Sequence, residues 1–81
     1  MADTFTCTIR SSDGDLLVGE LRSLTLPTAS GEVEVLPGHA EAFIAVVPGA
    51  IAAVDAAGNR RDIPSKTGVL HVAGDRAVIV F

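Results

Sequence analysis

The stretch Ala42-Phe43-Ile44-Ala45-Val46-Val47-Pro48-Gly49-Ala50-Ile51-Ala52-Ala53-Val54 decides the fold class. Its alanines suit a helix, but Pro48 removes an amide donor and the Pro-Gly pair favours a turn, so a helix here would break in its middle. The stretch therefore reads as two strands, residues 42–47 and 50–54, the first ending at Pro48-Gly49 and the second at Ala57-Gly58-Asn59. Upstream, Glu32, Val33, Glu34 and Val35 alternate acid with β-branched residue before Pro37-Gly38, which gives a short strand with one acidic, exposed face. Pro27-Thr28-Ala29-Ser30-Gly31 reads as a loop. Between residues 16 and 26 the apolar side chains do not keep one parity: Leu17 and Leu21 oppose Leu24 and Leu26, which predicts a bulge or break near Gly19. Phe5, Cys7 and Ile9 alternate with Thr4, Thr6, Thr8 and Arg10, the clearest strand of all, and Ser11-Ser12-Asp13-Gly14-Asp15 then reverses the chain. Downstream, Ile63 and residues 69–72 and 77–81 complete the set, with turns at Lys66-Thr67-Gly68 and Gly74-Asp75. Pro64 cannot donate to a ladder, so its strand belongs at an edge or breaks there. Strands this regularly punctuated predict an all-β sandwich or barrel.

With 81 residues and 48% hydrophobic content, the chain can bury one core but not two, so residues 1–81 form a single domain. Three Phe and neither Trp nor Tyr make that core aliphatic and thin. A single cysteine, Cys7, excludes an internal disulfide, so added stability is expected from a partner surface. Cys7 lies on the apolar parity of its strand, as a small buried hydrophobe rather than a nucleophile. A net charge of −4 with six scattered cations argues against nucleic acid. No apolar run is long enough to span a bilayer, and Met1-Ala2-Asp3-Thr4 lacks the features of a signal peptide; the chain is expected to be soluble and intracellular, reaching a membrane only by docking on another protein. His39, His71 and Cys7 are too far apart for a zinc site, and Asp13-Gly14-Asp15 lacks the remaining ligands of a calcium loop. Without a phosphate loop or a catalytic triad, no catalytic, cofactor or metal residues are expected, and the chain reads as a non-enzyme.

Leu24-Thr25-Leu26-Pro27, then Gly31-Glu32-Val33-Glu34-Val35-Leu36-Pro37-Gly38-His39-Ala40, then Pro48-Gly49 resemble the epsilon subunit of bacterial and chloroplast F-type ATP synthases, over about residues 4–81. The resemblance implies a flattened antiparallel β-sandwich without an active site. It implies a rotor component of the central stalk that links the gamma subunit to the polar loops of the c-subunit ring and couples ion translocation to ATP synthesis. It also implies a peripheral place at the cytoplasmic face of the bacterial inner membrane, with the chloroplast thylakoid second. The chain differs from many relatives at Lys66-Thr67-Gly68-Val69, Glu41, Val47 and Pro64. Most relatives continue into a helical hairpin, whereas this sequence stops at Phe81, so no hairpin-type inhibition of hydrolysis is expected.

On that resemblance Glu32 matches the ring-facing position, where a carboxylate pairs with basic loops; its plain reading is a solvated loop acid. Glu34, one pleat further, carries the same two readings. His39 matches the histidine of the Pro-Gly-His-Ala turn near gamma and the ring, against a plain turn histidine bonded to local backbone. His71 reads as a partly exposed strand residue, and Arg60 and Arg61 beside Asp62 as a solvated hairpin tip. Two other classes stand beside this one. Lys66, the only lysine, falls in a turn of a small acidic β domain, as does the modified lysine of lipoyl and biotinyl carriers, although its neighbours Ile63-Pro64-Ser65 and Thr67-Gly68 differ from theirs. The other is a generic β-sandwich adaptor.

Overall fold

The computed structural model of the chain describes residues 3–81. Met1 and Ala2, part of the stretch read above for a signal peptide, lie outside the described residues. The alternation seen in sequence becomes strands: β1 (Phe5–Ser11), β2 (Gly14–Thr28), β3 (Gly31–Val35), β4 (His39–Val46), β5 (Gly49–Asp55), β6 (Arg60–Ser65), β7 (Gly68–Gly74) and β8 (Arg76–Val80). Pro48 separates β4 from β5, as a residue without an amide proton should, and the described residues contain no helix. No helix long and apolar enough to cross a membrane is therefore present among them.

The strand order is β4-β7-β8-β1-β2-β5-β6, with β3 paired to β2. Strand β2 belongs to both halves of this sheet. Its first part pairs with β1, from Leu21 opposite Phe5 to Gly14 opposite Ser11. Its second part pairs with β3 and β5, with Leu24 opposite both Val35 and Ala53. Cys7, Ile9, Leu70 and Ile79 from one half and Leu24, Leu26, Val35 and Ile51 from the other are all fully buried in one cluster. The sheet is thus folded over on itself into the expected sandwich, with extents of 32 × 22 × 19 Å. Phe5 is the one fully buried aromatic residue, so the core is aliphatic.

Several details differ from the sequence reading. The irregularity in β2 is not at Gly19, which pairs in register with Cys7. It falls instead at Leu16, passed over between the pairs Ile9/Leu17 and Arg10/Asp15, and at Arg22, passed over between Leu21/Asp55 and Ser23/Val54. The second bulge is what turns Leu21 and Leu24 both inward, at the point where β2 passes from one half to the other. At 15 residues β2 is also the exception among short strands. It runs through Pro27, so the loop shrinks to Ala29-Ser30, held by Thr28 Oγ1, which accepts from the Ser30 amide (3.2 Å) and donates to the Gly31 carbonyl (2.6 Å). Within the sandwich, β1 and β8 pair in parallel, Thr6 opposite Arg76 through Arg10 opposite Val80. No hairpin joins these two strands, so nothing forces them antiparallel. Arg60 and Arg61 begin β6 rather than forming the hairpin tip. That tip is closed by the Asp55 carboxylate, whose Oδ1 accepts the Ala57 and Asn59 amides at 2.9 Å each.

Pro64 sits on β6 at the end of the strand order, the edge position its missing amide requires. Ser65 ends the same strand and is buried, its Oγ donating to the Val47 carbonyl at 2.8 Å. With the Val47 amide donating to the Pro27 carbonyl (3.1 Å), this joins β2, β6 and the connection after β4 at one corner of the sandwich. Cys7 is buried as expected, and burial pushes its thiol up to about 12, which keeps it protonated and unreactive.

Candidate partner surfaces

Burial of Val35 sets the facing of β3. Glu32 and Glu34 lie on the opposite parity, both exposed, about 7 Å apart along the strand. Neither joins a salt bridge among the described residues. Leu36, 49% exposed, follows at the same spacing. The chain then turns through Leu36-Pro37-Gly38-His39, with the His39 amide donating to the Leu36 carbonyl at 3.2 Å. Pro37 supplies the fixed φ of the first central position, and Gly38, at φ 81°, supplies the positive φ of the second, which together make a type II turn. His39 opens β4, half-buried, with its Nδ1 donating to the Ala40 carbonyl at 2.7 Å. The structure thus strings Glu32, Glu34 and His39 along β3 and a single tight turn. It leaves both carboxylates open and ties the imidazole to local backbone.

The larger surface was not singled out from sequence. Across β4, β7, β8 and β1, the outward side chains form two rows in register: Phe43, His71, Val78 and Thr8, and beside them Ala45, Val69, Val80 and Arg10. Phe43 is 74% exposed, Val80 55% and Val69 48%. The imidazole of His71 stacks on the Phe43 ring, centroids 4.4 Å apart and planes 11° from parallel. Its Nε2 lies 3.0 Å from Oε2 of Glu41, two residues before Phe43 on the same face of β4. His71 is partly exposed, as its strand position predicted. The outer row of the other half is different: Glu34, Thr25, Ala52 and Asp62 lie side by side, small or polar throughout. The sequence signal for the apolar face was available: residues 42–47 are apolar on both parities, as strands covered on two faces are, and Val69 and Val80 add apolar side chains on the outward parity of their strands.

Lys66 is exposed in the connection from β6 to β7, beside Pro64 and Phe81 on an open cleft of about 340 Å³. Strands β6 and β7 belong to different halves, so this connection is a crossover and not a hairpin tip. Among the described residues no group of three His, Cys, Asp or Glu could hold a metal ion. The carboxyl of Asp55 is held below its ordinary value, first by the Asn59 amide and further by Ala57 and Gly58 amides and the Asn59 side chain. It works as the clamp of the β5–β6 turn.

The family described as ATP synthase, Delta/Epsilon chain, beta-sandwich domain has a sequence model that matches residues 4–81. The chain belongs to this family. Among curated proteins, this delta/epsilon sandwich is 34% identical to the ATP synthase epsilon chain of Bordetella petrii over 62 residues, 76% of this chain and 44% of the other. It is 26% identical to the epsilon chain of Paracoccus denitrificans and 25% identical to that of Clostridium botulinum, over 99% of its own length and 54% and 60% of theirs. The chain therefore spans about half the length of the curated relatives it matches. Its fold superposes on a chain of the Euglena gracilis mitochondrial ATP synthase, in a structure of OSCP, F1 and c-ring, with a TM-score of 0.92 and 22% identity, over 99% of this chain and 51% of that one. A chain from the central stalk and c-ring of the Tetrahymena thermophila enzyme gives 0.75 and 12%, over 94% and 61%. At these identities the two structures bear on the fold alone.

Proposed function

We propose that this delta/epsilon sandwich is a non-catalytic rotor part of a rotary F-type ATP synthase, joining the gamma chain to the loops of the c-ring and so coupling ion translocation to ATP synthesis. The observation that carries this reading is the asymmetry of the sandwich, with the exposed Phe43, Val69 and Val80 together on one half and an outer row of small or polar residues on the other, where Leu36 is the exposed large apolar side chain. Gamma covers the face of Phe43, Val69 and Val80, where burial of apolar area drives association. The acidic strip of Glu32 and Glu34, at the β3 end, meets basic ring loops, where opposite charge sets register more than affinity. Two separate contact surfaces on one close-packed core are what a torque-bearing connector needs, since such a core resists shear. On this reading the domain sits at the cytoplasmic face of a bacterial inner membrane, reached by docking, and the likeness to bacterial epsilon chains supports it. The test is size-exclusion chromatography with a gamma chain, or with an F1 complex lacking its own epsilon chain. Stoichiometric co-elution is expected, and separate elution at micromolar concentrations refutes the reading.

A further inference from the structure

Glu41, Phe43 and His71 form a cluster whose chemistry goes beyond apolar contact. Register places Phe43 directly opposite His71 across β4 and β7, and the imidazole lies between the Phe43 ring and the Glu41 carboxylate, within hydrogen-bond reach of the latter. A neutral imidazole can donate Nε2–H to Glu41. An imidazolium does so with full charge and also lies over an electron-rich ring face. In water the difference is small, because the side chains of His71 and Glu41 are 42% and 68% exposed and solvent screens the pair. A partner covering Phe43 removes that solvent. A carboxylate enclosed without a counter-charge is then unfavourable, and among the described residues the one basic side chain in contact with Glu41 is His71, a cation when protonated.

We propose that docking of the gamma chain on the outer face of β4, β7 and β8 takes up a proton at His71, making the joint tighter in acid than in base; this rests on the docking reading above. The groups facing His71 are consistent with Glu41 governing it. On β4, His39 lies at the strand's start, opposite Gly74, with its Nδ1 committed to the Ala40 carbonyl. On β8, Val78 stands opposite His71, and Arg76 is two pairs along, opposite Ala73. On β1, Thr8 stands opposite Val78, with Arg10 beyond it opposite Val80. Asp75 lies outside the pairing, in the β7–β8 turn. Imidazole is the side chain that ordinarily changes charge between about pH 5 and 8, so the linkage falls in the range where a membrane-bound machine meets changing proton activity.

The experiment measures gamma binding by titration calorimetry at pH 6 and pH 8, in buffers of different ionisation heat, for the wild type, His71→Gln, Glu41→Gln and Val80→Ser. Glutamine keeps a donor toward Glu41 but cannot ionise. The wild type should bind roughly tenfold more tightly at pH 6 than at pH 8 and take up a fraction of a proton; both His71→Gln and Glu41→Gln should lose most of that difference. Val80→Ser, outside the cluster, should weaken binding at both pH values and keep the pH difference, so it reports on the docking face alone. If Val80→Ser weakens binding but His71→Gln retains the wild-type pH difference and proton count, the proton linkage is overturned while docking stands. If the wild type does not bind gamma at all, both fall together.

Discussion

Replacing Phe43 by alanine separates the fold from the partner surface. The residue is 74% exposed. A phenylalanine offers about 200 Å², so about 150 Å² of it faces water, and covering that area at about 25 cal/mol per Å² is worth at most ~4 kcal/mol. Docking costs and the methyl that alanine retains reduce this to about 2 kcal/mol, or roughly a 30-fold rise in Kd for gamma. The free protein should hardly notice. Only about a quarter of the side chain is packed, and an exposed aromatic stack is worth about 0.5 kcal/mol, which lowers Tm by roughly 2–4 °C in a domain of this size. The assay pairs calorimetric or surface-based binding to gamma with thermal unfolding of the free chain. A Kd within twofold of wild type would show that gamma does not cover this face. A large loss of Tm would show instead that the ring supports the sandwich, and the surface reading would fail for a different reason.

Glu32→Arg should impair coupling between ion flow and ATP synthesis in a reconstituted enzyme, whereas Glu20→Arg, on β2 away from the acidic strip, should not; ion pumping at the wild-type level by both variants would remove the ring contact. Gly68→Ala should destabilise the free chain by about 1–3 kcal/mol, because a Cβ there would overlap the Val80 carbonyl and come within 2.6 Å of the Phe81 Cβ. Gly19→Ala is the matched control, with no atom within 4 Å and no positive φ, and denaturant unfolding that shows the same midpoint for both would refute the close-approach argument. For Asp55 the folded-state value is depressed, so its contribution to stability is present above the unfolded carboxylate range near ~4 and is lost as pH falls through the lower folded value. Asp55→Ala should therefore be less stable than wild type at pH 7, with the gap closing toward pH 2; a gap that stays constant across urea melts at those pH values would contradict the turn-clamp role.

Much of this architecture was legible in local chemistry. Pro48-Gly49 divides an alanine-rich run into two strands whatever surrounds it, Pro37-Gly38 makes a type II turn, and the parity of Phe5, Cys7 and Ile9 marks a core face, because each depends on one residue's backbone limits or on the two-residue period of a strand. The acidic row of Glu32 and Glu34 was legible for the same reason. What only the tertiary structure decided is where strands lie relative to one another. The parity change between Leu21 and Leu24 announced a bulge, but its place at Arg22 follows from β2 leaving the β1 half and entering the β5 half. The parallel pairing of β1 with β8 and the meeting of Glu41, Phe43 and His71 join residues 28 or more positions apart in sequence, with no hairpin between them to fix direction or register. Such pairings are selected by which arrangement closes a single core, a property of the whole packed sandwich that no window of sequence contains.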